Sequence, residues 1–384
     1  MLGKPIRLFS VFGFTVRIDA TWFILLLLIT SSLAMGLFPS RYPGLTMGTY
    51  WMMGMVGALG LFVSILIHEI AHSLVAKRFG LEMKGITLFL LGGMAEMPRE
   101  PSRAKVEFWM AIAGPLTSLA LAAAFYGIYR GGLSLDWPPF WNGIFGYLAI
   151  VNVVLAVFNL VPAFPLDGGR VLRSILWQVT RDFGRATRIA AATGSAFGIV
   201  LLVFGTMRVI VGDVVGGIWW MLIGIFIRSA ALASVQQLAI SRFLAHEKVA
   251  DLMNPRPVTV PMDIPVRRLV EDYLYRYDHH VFPVLEGDRL AGCVGLARVK
   301  NLSSEAWDAR RVADVMERCP AEDTIAAEVP AEEALRRMQD TGRKRLLVVD
   351  SQGSLRGIVT ASDLLHHLAV KMELDRPVAA PLPA

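Results

Sequence analysis

The chain has 384 residues, 54% hydrophobic and only 18% charged, against roughly 25% charged in soluble domains, and its mean hydropathy is +0.51. That composition excludes an ordinary water-soluble protein. The formal charge is +6, with only ten acidic residues between Met1 and Ile240, no nucleic-acid partner is expected, and the two cysteines, Cys293 and Cys319, suggest no disulfide framework.

Six apolar runs are each close to the roughly 20 residues that cross a bilayer as a helix. They fall at about 19–38, 50–76, 108–129, 143–163, 190–211 and 215–232. The first begins near Thr21 and is followed by further spans, so a retained transmembrane helix is expected there, not a cleaved signal. Lys and Arg in the short loops set the orientation. With the N-terminus in the cytoplasm, fifteen of them face inward and only Arg41, Arg130 and Arg208 face outward. The expectation is a multi-pass protein of the cell membrane with both termini cytoplasmic.

The second run contains His68-Glu69-Ile70-Ala71-His72. Ionisable groups in hydrocarbon are costly and ask for a functional reason. On a helix, positions i and i+4 share a face, so both imidazoles can reach one cation. In this H-E-x-x-H arrangement the histidines hold zinc and Glu69 acts as general base. His68 lies nine residues before Lys77, roughly 14 Å from the inner edge of the helix.

Between the second and third runs, Gly85 through Met97 is too short and too glycine-broken to span. It is expected to form a β-hairpin whose edge, with Gly92 and Gly93, holds an unwound peptide by main-chain pairing. A catalytic zinc needs a third protein ligand, and no further histidine precedes residue 246. Asp167 is the best candidate. It follows Pro162 and Pro165, which break the inner end of the fourth span, while Gly168-Gly169 suggests a flexible turn. Asn159, one or two turns deeper, is placed to donate to a substrate carbonyl or oxyanion. Glu96, Glu100 and Glu107 are expected to solvate a loop, and Trp137, Trp141 and Trp219 to anchor at the membrane interface.

After Ile240 the composition changes. Residues 241–248 form a polar connector, and the rest repeats itself: Val249-Ala250-Asp251-Leu252-Met253 returns 63 residues later as Val312-Ala313-Asp314-Val315-Met316. Two copies of one α/β unit are expected, over 249–309 and 310–372. The tail from 373 to 384 is Pro-rich and expected to be disordered. His279-His280 and His366-His367 are adjacent pairs that cannot share a face and are taken as surface residues.

Taken together, these motifs resemble the site-2 protease family of intramembrane zinc metalloproteases, in the branch with C-terminal cystathionine-β-synthase (CBS) domains. His68 to His72 matches the zinc helix. Asn159 through Gly168 matches the Asn-x-x-Pro-x-x-x-Leu-Asp-Gly element, Ala113-Gly114-Pro115 the small-residue start of the third span, and Gly92-Gly93 the membrane hairpin. The resemblance implies a six-helix membrane domain with a small β-hairpin and a C-terminal α/β CBS pair. It implies one zinc on His68, His72 and Asp167, and cleavage of transmembrane segments of membrane-tethered proteins. It also implies an adenosine nucleotide at the CBS pair, with Asp363 on ribose hydroxyls and Thr360 on a phosphate, and a homodimer through the CBS domains. The first repeat departs from the pattern, with Gly295 and Arg298 at the matching positions. The competing expectation is a transporter or channel gated by CBS domains, which the lack of a visible internal membrane repeat disfavours.

Overall fold

The computed structural model describes residues 6–81, 83, 85–89, 92–96, 101–277, 279 and 281–374. It divides into two units, Met1–Gln236 and Gln237–Ala384.

The first unit opens with a feature the sequence analysis did not anticipate. β1 (Ile6–Val11) and β2 (Phe14–Ile18) form an antiparallel hairpin. Its two-residue turn, Phe12-Gly13, has φ of 51° and 89° at the two positions, the paired positive φ of a tight hairpin turn. In β2, Phe14, Val16 and Ile18 alternate inward and are buried. This hairpin joins the expected one, β3 (Gly85–Phe89) and β4 (Gly92–Glu96), in a sheet ordered β1-β2-β3-β4. The β2–β3 pairing is parallel. A parallel pair needs a long crossover, and here two membrane helices supply it. β4 is left at the sheet edge.

Six helices are long and apolar enough to cross a membrane. They are α1 (Thr21–Arg41, with a π-turn at Leu33–Leu37), α2 (Met47–Arg78), α3 (Ala104–Ser134), α4 (Pro139–Asn159), α6 (Phe183–Ile210) and α7 (Val214–His246). Asp19 caps α1 by accepting from the Thr21 amide at 3.0 Å, and Thr46 caps α2 through the Thr49 amide. Small residues bring the helices close: a Cβ on Gly54 would lie 2.6 Å from the Thr30 carbonyl. Around that contact Leu33, Phe38, Tyr50, Met53, Ile144 and Leu148 form a buried cluster, and the Tyr50 hydroxyl donates to the Tyr42 carbonyl at 2.7 Å. Large apolar residues such as Leu27, Val63, Leu116, Val157 and Val203 remain exposed, as lipid-facing surfaces require. α7 runs to His246, so most of the expected polar connector is helical.

Between α4 and α6 lies α5 (Asp167–Thr180). At 14 residues it is too short to span. It also corrects the expectation of a flexible turn at Gly168-Gly169, because both glycines are buried in its first turn. A Cβ on Gly168 would sit 2.2 Å from the Leu160 carbonyl oxygen and one on Gly169 2.2 Å from the Phe164 nitrogen. The glycines serve close packing against the broken segment, not flexibility.

The second unit holds two three-stranded sheets, β5 (Val260–Pro261), β6 (Val281–Glu286) and β7 (Arg289–Gly295), and β8 (Thr324–Ala326), β9 (Arg345–Val349) and β10 (Leu355–Thr360). In each, one parallel and one antiparallel pairing flank the central strand. The short helices that begin the two sequence repeats change places. α8 (Val249–Leu252) packs with Ile325, Leu346, Val348, Val359 and Leu364. α9 (Val312–Val315) packs with Val260, Leu269, Phe282, Val284 and Val294. Reciprocal backbone bonds fix the exchange, Asn254 to Ile358 and Cys293 to Glu317. The latter brings Cys319 to Cys293 with Cα atoms 5.4 Å apart, and the two form a disulfide, correcting the expectation that these two cysteines point to no disulfide framework. The last helix, α10 (Ala361–Leu374), takes in the first two residues of the expected tail. Residues 375–384 and His280 lie outside the described residues.

Candidate metal centre

His68 and His72 are one turn apart on α2 and are 3% and 5% exposed. Each ring is fixed from behind by α3. His72 Nδ1 lies 2.6 Å from the Met110 carbonyl oxygen, which can only accept, so Nδ1–H donates and Nε2 keeps its lone pair. His68 Nδ1 lies 2.9 Å from Ser118 Oγ. Both Nε2 atoms therefore face forward.

Asp167 meets them there. Its Oδ2 is 3.1 Å from His68 Nε2 and 3.2 Å from His72 Nε2, and the two Nε2 atoms are 3.1 Å apart. The carboxylate is at the first residue of α5, brought in by the break after Asn159. A carboxylate oxygen and a bare imidazole lone pair repel at this distance unless a proton or a metal ion lies between them. Three donors each about 2.0–2.1 Å from a tetrahedral zinc would be roughly 3.3 Å apart, close to the triangle observed. Gly114 on α3 completes the cradle: a Cβ there would lie 2.2 Å from His72 Nε2 and 2.5 Å from His68 Nε2. Two imidazoles and one carboxylate, with no fourth protein ligand in the cluster, are the donor set of a catalytic zinc rather than a structural one. Among the described residues, His68, His72 and Asp167 are the one such cluster.

Glu69 follows His68 on the same helix, is half-buried, and interacts electrostatically with His72, His68, Asp167 and Arg170. The arrangement thus offers a cation site and an adjacent carboxylate base.

The other expected site residues are placed as follows. Asn159 ends α4, and its amide donates to the Leu155 carbonyl at 3.0 Å. Among the described residues no hydrogen bond joins it to the metal triangle. Gly92 and Gly93 open β4 and pair with Phe89 and Leu88, so the outer side of β4 is the sheet edge. Thr360 and Asp363 cap α10 reciprocally: Asp363 Oδ2 accepts from the Thr360 amide at 3.0 Å and hydroxyl at 2.8 Å, and Thr360 Oγ1 accepts from the Asp363 amide at 3.1 Å. Arg298, in the first repeat, pairs with Glu317.

Glu107 is a correction. Expected to solvate a loop, it is fully buried and paired with Arg173. Sequence reasoning also missed Ser118 and the Met110 carbonyl. The one signal that pointed near them was the small-residue stretch at Ala113-Gly114-Pro115.

Comparison with known proteins shows which families the sequence matches. The model of peptidase family M50 matches residues 56–135 and 136–203, and the CBS-domain model matches 249–305 and 312–370. Rip3 of Mycobacterium tuberculosis is 33% identical over 364 residues, covering 94% of this chain and 92% of its own. Zinc metalloprotease MJ0392 of Methanocaldococcus jannaschii is 29% identical over 377 residues, covering 96% of this chain and 97% of its own. Among solved structures, the site-2 protease from Methanocaldococcus jannaschii aligns with a TM-score of 0.43 and 29% identity, over 60% of this chain and 95% of that one.

Proposed function

The chain belongs to peptidase family M50, the site-2 protease family, as a multi-pass zinc metalloprotease with a CBS pair, and from that premise we propose that it cuts peptide bonds inside the membrane-spanning segments of other proteins. The observation that carries this reading is the convergence of His68, His72 and Asp167 in a cradle bounded by Gly114. These three residues would hold the zinc. When bound, zinc supplies a Lewis acid for the scissile carbonyl and lowers the pKa of water towards about 7.

The protein's own groups do the rest. Glu69 takes a proton from the attacking water on its carboxylate and returns it to the leaving amide nitrogen. Met110 and Ser118 hold the imidazoles so that both Nε2 atoms face forward. The free edge of β4, starting at Gly92 and Gly93, accepts the substrate as an added strand. Such pairing requires the substrate helix to unwind, and unwinding is what exposes a peptide bond otherwise shielded within it. Asn159 would have to exchange its bond to Leu155 to reach a substrate carbonyl.

The charge bias of the loops, fifteen inward against three outward, supports cytoplasmic termini and hence a cytoplasmic CBS pair. That pair serves as a regulatory module, through an adenosine nucleotide at Thr360 and Asp363 and through pairing with a second copy. A nucleotide at this position would have to share the hydrogen bonds that now close the cap of α10.

The test is Glu69→Gln in the full-length protein reconstituted in vesicles with a single-span substrate. Zinc content should stay at one per chain while the cleavage rate falls roughly 10²–10⁴-fold. Undiminished cleavage by this variant would refute the assignment of Glu69 and the hydrolytic reading with it.

A further inference from the structure

Two charged side chains are buried beside the metal centre although its chemistry has no use for them. Glu107, near the start of α3, is 0% exposed and Arg173, in the middle of α5, is 3% exposed. Arg173 Nε donates to Glu107 Oε1 at 2.7 Å, and a terminal guanidinium nitrogen contacts the same oxygen. The guanidinium carbon also lies 5.0 Å from the centre of the Phe164 ring and 4.9 Å from that of Phe183. A planar guanidinium held by a carboxylate and by two aromatic faces has one direction available to it. At this point α5 is tied to α3, to the broken segment before it and to α6.

The location of that tie matters for the zinc ligands. Glu107 precedes Met110 by one helical turn, and the Met110 carbonyl orients His72. Arg173 follows Asp167 by six residues, about 9 Å of helix. The N-terminus of α5 has Leu166 at its cap and no side-chain cap bond. Asp167 therefore depends on how the body of α5 is held as well as on the break before it, and Arg173 fixes that body against the helix that orients the histidines. A buried ion pair contributes little net stability over apolar residues of the same volume, but it can impose a single register.

We propose that Glu107 and Arg173 are positioning residues that set the placement of Asp167 against the two imidazoles. The proposal rests on the zinc site described above. Zinc affinity of the full-length protein in detergent, measured by competition with a chromophoric chelator, separates the two. Glu107→Gln and Arg173→Lys should each weaken zinc binding roughly 10–100-fold with helicity unchanged by circular dichroism. Adding Glu107→Gln to Asp167→Asn should weaken the remaining binding no further, because the group being positioned is gone. Wild-type affinity in a folded Glu107→Gln protein, or an equal loss in both backgrounds, would overturn the proposal. Should Glu107→Gln not fold, the double variant Glu107→Gln/Arg173→Met, which leaves no unpaired buried charge, carries the same comparison. Absence of zinc from the wild-type protein would sink the metal reading itself, and that single measurement identifies the case.

Discussion

Gly114 shapes the metal centre by lacking a side chain. The space a Cβ would fill is the space faced by both Nε2 atoms, so an added methyl would compete directly with an ion held there. Gly114→Ala should reduce zinc binding by about 100-fold or more, beyond the range typical of changes that only reorient a ligand, while helix content is retained. Metal analysis of the purified variant checks this, and one zinc per chain would contradict it. At this scale the proposed ligands and base were legible because their spacing is itself chemical information: positions i and i+4 share a helix face, and Glu69 lies between them. Asp167 followed from the shortage of other ligands. The supporting groups were not legible. Glu107 and Arg173 are 66 residues apart in sequence, and a glutamate near a loop end resembles a solvated one until its partner is seen. The Met110 carbonyl has no side-chain signature at all.

The element that brings Asp167 to the two imidazoles is the break between α4 and α5. Its backbone is threaded through glycines. A Cβ on Gly169 would strike the Phe164 nitrogen at 2.2 Å, and one on Gly194 would strike the Phe164 carbonyl oxygen at 1.9 Å. Phe164 also donates its amide to the Ala190 carbonyl at 3.4 Å, tying the break to α6. Gly194→Ala must push this segment, and with it Asp167, away from α6. It should cost about 1–3 kcal/mol through overpacking, seen as a lower thermal midpoint in detergent together with weaker zinc binding. A variant with unchanged midpoint and affinity would show that the segment is not held at that point. The sequence showed that a helix must stop near Pro162, since proline lacks the amide and clashes with the preceding turn. It did not show that a new helix starts at Asp167, because glycines at its first turn lower helix propensity and only packing recovers the loss. The β1–β2 hairpin went unnoticed for a related reason. β2 alternates over only five residues, and its partner β3 pairs about 70 positions away.

For the molecule as a whole, the exchange of α8 and α9 joins the two sequence repeats into one folding unit: each repeat starts with a helix that belongs to the core of the other. Leu252 lies in the first repeat by sequence yet packs against Ile325, Leu346 and Leu364. Leu252→Ala should cost roughly 2–5 kcal/mol, and hydrogen exchange should show β6 and β7 losing protection together with β9 and β10. Loss confined to the second sheet would mean that the halves unfold independently. The sequence by itself determined the membrane character, the six spans, the helix that carries both histidines on one face and the duplicated C-terminal unit. Each of these is written in local composition, in helical periodicity or in direct repetition. Only the tertiary structure decided which groups orient the ligands, how Asp167 reaches them, which cysteines pair and which core each short helix completes. Those outcomes depend on contacts between residues far apart in the chain, where a few ångströms of packing select one partner among many of the same chemical type.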